Sequence, residues 1–289
     1  MYICNACPRK CGADREKCMG VCGTEVSYKL ARAALHFWEE PCISGTNGSG
    51  TVFFSGCSLK CVYCQNYEIS QGGTGKEISE ERLIEIFKDL ESQGAHNINL
   101  VNPTHYAIQL ANTLKKYKPS IPVVYNTGGY DDVESLKMLD GLVDIYLTDI
   151  KYADGVVAKK YSRAENYFEI ASKAVKEMFR QTGDAVFENG IMKKGLIIRH
   201  LVLPGNVSQG MKVLDWIKEN LNGEFAISLM GQYLPCGEAE KYPTINRRLS
   251  HREYNMVIDY ADKLGFENAY IQDLSASDDI YIPDFDCNV

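Results

Sequence analysis

The sequence predicts an α/β fold, a full or partial barrel of parallel strands with a cysteine-rich N-terminal extension. Three observations carry this. From residue 51 onward, short β-type runs alternate with amphipathic helical patterns. Polar residues recur where those runs end. Residues 1–42, by contrast, hold six cysteines and few apolar runs. Alternating strands and helices imply parallel strands joined by right-handed crossovers. An open doubly wound sheet is the alternative.

The chain divides at a stretch rich in Gly and Ser. Residues 1–50 form the extension, with Cys4, Cys7, Cys11, Cys18, Cys22 and Cys42, and "SGTNGSG" (44–50) reads as a flexible connector. Residues 51–289 form the barrel core with a C-terminal strand and helix extension. Strands are expected at 51–55, 97–102, 122–127, 144–149, 196–203, 225–230 and 269–272. Helices are expected at 79–93, 104–117, 132–141, 163–181, 208–221 and 250–264. In the first, Leu83, Ile86, Phe87 and Leu90 share one face. In the last, Tyr254, Val257, Ile258, Ala261 and Leu264 do so. Ser79 and Ser250 are expected N-caps, and Gly94 and Gly265 expected stops. "AVFENGIM" (185–192) reads as a β-hairpin turning at Asn189-Gly190.

Composition narrows the function. A chain of 289 residues, 45% hydrophobic and 24% charged, is globular. A net charge of −7 argues against nucleic acid or an anionic membrane as the main partner. The N-terminus lacks the apolar core of a signal peptide, and no apolar run is long enough to span a membrane. A cytoplasmic location is expected. Eleven cysteines in a reducing compartment point to metal binding or redox chemistry, since disulfides are rare there.

Active sites of parallel barrels gather at the C-terminal ends of the strands. Cys57, Cys61 and Cys64 follow the first strand, and Asn102, Thr104 and His105 the second. Asn126 and Thr127 end the third, and Asp149 and Lys151 the fourth. Arg199 and His200 lie in the fifth, and Gln232 and Tyr233 follow the sixth. Singly, each has a plainer role as cap, solvated charge or core residue; their shared position points to a site. Three thiols in "GCSLKCVYCQN" (56–66) permit a zinc site, a disulfide staple or an iron–sulfur cluster. Zinc usually takes four ligands and ferredoxin-type clusters take four cysteines. Three thiolates would leave one iron of a cubane open.

The C-x3-C-x2-C spacing, with Tyr63 before the third cysteine and a strand ahead, resembles the radical S-adenosylmethionine (SAM) superfamily. "FSGCSLKCVYCQN", "VVYNTGGY", "DIYLTDIKY", "RHLVLPG" and "ISLMGQY" resemble its pyruvate formate-lyase activating enzyme-like branch, and "CNACPRKCG" resembles the members with a CxxCPRxC head. The resemblance implies a partial (β/α)6-type barrel, while the six cysteines and few apolar runs of residues 1–42 themselves read as a metal-binding N-terminal extension. It implies a 4Fe–4S cluster on Cys57, Cys61 and Cys64, with SAM bound at the open iron. An electron then cleaves SAM to a 5′-deoxyadenosyl radical, which takes hydrogen from a substrate. In an activase the substrate is a glycine of a partner enzyme; a small molecule or peptide is the other reading. A reductant such as flavodoxin or ferredoxin is the implied partner.

Residue by residue, the resemblance places Tyr63 near adenine, Asp149 and Lys151 on an Asp-x-Lys motif near the amino-acid end of SAM, and Arg199 on the arginine that contacts SAM. Asn126 and Thr127 match the motif Asp-Thr-Asn-Gly in part. Asn126 stands where the acid would be, so one carboxylate of a region that can hold a monovalent cation is missing. "NPTH" (102–105) replaces a Gly-Gly-Glu motif, and Thr104 or His105 is expected to take over contacts to the methionine amino group.

In the head, Cys4, Cys7 and Cys11 with Cys22 or Cys18 can close a four-thiolate site for zinc or a second iron–sulfur cluster. Arg9 and Arg15 are expected on thiolates or on the barrel. Cys18, Cys42, Cys236 and Cys287 have no assigned role; Cys236, after the sixth strand, is the best placed. The hairpin at 185–192 and "CGEAEKYPTINRR" (236–248) are expected to shape the barrel mouth. Readings from other classes are a zinc-dependent barrel hydrolase and a non-catalytic iron–sulfur carrier. The first lacks a histidine pair among His36, His96, His105, His200 and His251. The second needs neither so large a barrel nor so many polar strand ends.

Overall fold

The computed structural model describes residues 3–266, 269–274, 284–285, 287 and 289. In chain order the strands are β1 (Tyr28–His36), β2 (Ser49–Phe54), β3 (Lys76–Ile78), β4 (Ile98–Val101), β5 (Val123–Thr127), β6 (Ile145–Asp149), β7 (Val186–Glu188), β8 (Ile191–Leu201), β9 (Ala226–Met230) and β10 (Ala269–Ile271). The helices are α1 (Pro41–Ser44), α2 (Tyr67–Ser70), α3 (Glu80–Ser92), α4 (Ala107–Lys116), α5 (Val133–Lys137), α6 (Gly155–Ser162), α7 (Tyr167–Thr182), α8 (Val207–Asn220) and α9 (His251–Lys263). The sheet order is β10-β9-β8-β6-β5-β4-β2-β1-β3. From β2 through β10 every neighbouring pair on this path is parallel. This is the parallel α/β architecture expected of a partial barrel.

Helix signals translate directly. Ser79 accepts from the Arg82 amide, and Ser250 forms a full capping box with Glu253. Both helices stop two residues before a glycine with positive φ, at Gly94 and Gly265. Leu83, Ile86, Phe87 and Leu90 are all buried against Val52, Phe54, Ile98 and Leu100, on the outer face of the sheet. Asn189 and Gly190 both have positive φ and join Glu188 to Ile191, the two-residue turn the hairpin needs.

Four features differ from the sequence reading. Strand β1 lies within the extension yet pairs antiparallel with β2, and β3 pairs with β1. The cysteines around it mask a strand whose Leu30 and Ala31 are fully buried. "SGTNGSG" is no flexible connector. It begins at the end of α1 and finishes as the start of β2, where Gly50 packs so closely that an added Cβ would lie 3.0 Å from the Asn97 carbonyl oxygen. A short helix, α6, precedes α7, capped by Asp154, which accepts from the Val156 and Val157 amides. The hairpin runs into β8 without a break, extending it below Gly195, where β6 begins to pair. It therefore sits at the end of the barrel opposite the cysteine loop and cannot shape that mouth.

The barrel interior is layered. Its floor is apolar: Cys42 and Ile43 of α1 plug it against Val124, Ile145, Leu147 and Ile197. Polar side chains lie above, and the Cys57–Cys64 loop follows β2 at the top. No helix among the described residues is long and apolar enough to cross a membrane.

Candidate functional site

Cys61 and Cys64 open into a cavity of about 240 Å³ at the C-terminal ends of the strands. Tyr63, Asn126, Asp149, Lys151 and Arg199 line the same cavity. The sheet register brings three of them together: Asp149 of β6 is the direct neighbour of Arg199 of β8, and Asn126 lies on β5 beside β6. Arg199 donates from Nε to Asp149 Oδ1 at 2.9 Å and from a terminal nitrogen to Asn126 Oδ1 at 2.7 Å. Lys151 Nζ pairs with the other Asp149 oxygen.

The charges are held by one another. Burial opposes the Asp149 carboxylate, but Lys151 and Arg199 outweigh it and bring its pKa down. Burial likewise opposes the Lys151 and Arg199 cations, and the surrounding carboxylates raise both.

Sequence reasoning missed Glu39. It comes from the β1–α1 connection, enters the barrel and lies 3.5 Å from Arg199. Its Oε1 accepts from Asn99 and Asn126, each at 3.2 Å. A carboxylate from a distant segment thus stands against Asn126. Burial raises the Glu39 pKa, only partly offset by Arg199. No local signal marks it, since "HFWEE" has neither motif nor period.

The cysteine loop is shaped by close packing. Gly56 has φ +80°, and a Cβ there would lie 2.5 Å from Thr24 Cγ2 and 2.8 Å from the Cys22 carbonyl oxygen. Burial pushes the Cys57 thiol up to about 12, with Cys61 and Cys64 adding to it, and Cys64 up to about 11. Burial also raises Cys61, against the charge of Lys151. Such thiols ionise when a metal replaces their protons. Ser162 Oγ lies 2.9 Å from Cys61 Sγ, and Ser70 Oγ donates to Cys64 Sγ at 3.3 Å. Three thiols from one loop, with hydroxyls on two of them, suit an iron–sulfur cluster. Among the described residues no three His, Cys, Asp or Glu side chains close on a single metal ion. That bears on one ion only, because a cluster spreads its ligands over several metal atoms.

The other expected residues brace the site. Asn102, with φ +59°, donates to the Gly56 carbonyl. His105 Nε2 lies 2.8 Å from the Ser55 carbonyl oxygen, and burial presses its pKa to about 3. Thr104 Oγ1 meets Thr127 Oγ1 at 3.0 Å, and Thr127 donates to the buried Asp131 at 2.6 Å. None of these four lines the cavity. Tyr63 does, with its hydroxyl 2.5 Å from that of Tyr152 and its ring edge-on to Tyr233. Cys236 donates to the Tyr63 carbonyl at 3.3 Å, and the Glu238 amide binds the Val62 carbonyl at 2.7 Å. The 236–248 segment therefore covers the cysteine loop.

The head presses on the same loop. Cys57 N donates to the Cys22 carbonyl at 3.0 Å. Arg9 Nε donates to the Ser58 carbonyl at 2.8 Å, and the buried Arg15 to the His105 carbonyl at 2.7 Å and to Thr24 Oγ1. Among the described residues both arginines engage the barrel backbone through hydrogen bonds and not through ion pairs.

The family model of the radical SAM superfamily matches residues 51–216, more than half of the chain. An uncharacterised protein of Methanocaldococcus jannaschii is 32% identical over 279 residues, covering 92% of this chain and 76% of its own. Among solved structures, Streptococcus suis SuiB bound to precursor peptide SuiA aligns with TM-score 0.54 and 15% identity, over 75% of this chain and 46% of SuiB. SuiB bound to S-adenosylmethionine aligns with TM-score 0.51 and 14% identity, over 75% and 48%. The chain thus spans about half the length of SuiB, and the likeness is one of fold. With the family match running from the first barrel strand through α8, the chain belongs to the radical SAM superfamily and is an enzyme of it.

Proposed function

We propose that this chain holds a 4Fe–4S cluster on Cys57, Cys61 and Cys64, binds SAM in the cavity beside it, and abstracts hydrogen from a peptide segment of a partner protein. The observation that carries the reading is the shared cavity: two of the three thiols, Tyr63 and the Asn126–Asp149–Lys151–Arg199 network all face it. When bound, the cluster and SAM supply a 5′-deoxyadenosyl radical. The protein's own residues bind and orient. Arg199 and Lys151 offer charge to a ligand carboxylate, while Asp149 and Glu39 offer it to an ammonium group. Tyr63, edge-on to Tyr233, offers a ring against which a base can stack.

The protein-directed form, an activase acting on a glycine, follows from the resemblance of the motifs to activating enzymes. SuiB, similar in fold, binds a precursor peptide, which fits a peptide substrate. A reductant of the flavodoxin or ferredoxin class would deliver the electron. The test is anaerobic purification, iron and sulfide counts, then dithionite and SAM. Release of 5′-deoxyadenosine is expected. Protein that carries zinc alone after reconstitution, or that binds a cluster without cleaving SAM, would overturn the reading. Adding candidate partner peptides containing deuterated glycine then tests the substrate: deuterium in 5′-deoxyadenosine supports the activase form, and its absence with a small-molecule donor that does transfer deuterium sinks it.

A further inference from the structure

The head contains a second thiol cluster that the reaction at the barrel mouth does not use. Cys4, Cys7 and Cys22 are buried although the segment around them has little apolar core, while Cys11 and Cys18 are exposed. Gly20 shows how close two of the thiols come: an added Cβ would sit 3.2 Å from Cys22 Sγ and 3.6 Å from Cys11 Sγ. Cys7 lies within electrostatic reach of Cys22, Cys4 and Cys11. Cys18 is turned away, its thiol on the Asp14 carbonyl at 3.4 Å.

Tight turns hold this arrangement. Lys10, Gly12 and Gly23 all have positive φ, and Cys4 N binds the Ala13 carbonyl at 2.9 Å. Thiols brought together in a segment with so little apolar core suit a metal centre that ties the segment together.

We propose that Cys4, Cys7, Cys11 and Cys22 form a closed four-thiolate site for an iron–sulfur cluster, whose ligands spread over several iron atoms, and that this site clamps the barrel's own cysteine loop. The clamp is the hydrogen bond from Cys57 N to the Cys22 carbonyl, reinforced by Arg9 on Ser58. Four protein ligands leave no open coordination position, so the site positions the loop and does not bind substrate.

The test needs no SAM cleavage, so its failure is separable from failure of the proposed function. The full chain and a Cys57→Ala/Cys61→Ala/Cys64→Ala variant are purified without oxygen and analysed for zinc, iron and sulfide. The variant should keep iron with matching sulfide, and zinc alone would overturn the proposal. Adding Cys7→Ser and Cys22→Ser should remove it. Metal that survives these two changes, or a variant with none, overturns the proposal. Should the triple variant fail to fold, brief maleimide labelling of the wild-type chain decides. Cys11 and Cys18 are both exposed, yet Cys18 should label at least about tenfold faster until a chelator strips the metal. Equal labelling, or a disulfide among the four, overturns it as well.

Discussion

The two cysteine clusters lie one hydrogen bond apart, from Cys57 N to the Cys22 carbonyl, yet they are built on opposite plans. The barrel loop has three thiols, two of which face a cavity lined by paired charges. The head has four, in a segment held by tight turns. Three donors beside a cavity leave room for a ligand that reacts; four donors on one metal centre, as proposed for the head, leave none. The difference shows that the number of thiols in a cluster, and what lies opposite them, matters more than their spacing.

The comparison breaks most sharply at Cys61. Cys61→Ala should abolish SAM cleavage and the cluster's absorbance while leaving any head metal in place; retained cleavage would refute the ligand assignment. Asp149→Asn comes next. It leaves Lys151 and Arg199 buried without their shared carboxylate, and removing one partner of a buried pair costs about 3–5 kcal/mol. A fall of that order in urea-unfolding stability, with lost SAM affinity, is expected; an unchanged midpoint would mean the network is not held as described.

Arg9→Ala sharpens the link between the clusters. Arg9 donates to the Ser58 carbonyl and lies over the Tyr130 ring at 5.2 Å. Losing a charged hydrogen bond costs about 1.5–3 kcal/mol. Iron content in the barrel loop should fall while the head metal stays.

His105 gives a pH test. Burial, and secondarily the Arg15 charge, hold its pKa at about 3, whereas an unfolded histidine takes its proton near pH ~6.5. Between those values the unfolded chain binds more protons, so His105 costs stability as pH falls through that window. His105→Gln should flatten the urea midpoint between pH 7.5 and 5 relative to wild type; parallel slopes would argue against a buried neutral ring. The smallest effect is expected at Cys18. Its exposed thiol binds only one backbone carbonyl, so Cys18→Ser should move stability by less than about 0.5 kcal/mol and leave both metal counts unchanged.

Much of this was legible in the chain. The strand–helix alternation, the Ser79 and Ser250 caps and the Asn189-Gly190 turn are local signals, since backbone geometry and side-chain periodicity act over a few residues. Composition misled at "SGTNGSG", because glycine permits close packing as well as flexibility, and Gly50 is used for packing. The cysteines hid β1, whose small residues are buried by pairing with β2 and not by their own pattern. Glu39 was invisible for the same reason: its neighbours Asn99, Asn126 and Arg199 lie far along the chain.

By itself the sequence determined the parallel α/β plan, the three-thiol loop after the first barrel strand and the row of polar strand ends, all of which depend on spacing within short segments. Only the tertiary structure decided that Cys22 packs beside Cys11 while Cys18 turns to the Asp14 carbonyl, that the hairpin lies away from the mouth, and that Glu39 reaches Asn126 and Arg199. Those outcomes depend on which distant segments the sheet register and the turns bring within a few ångströms, and no local period encodes that.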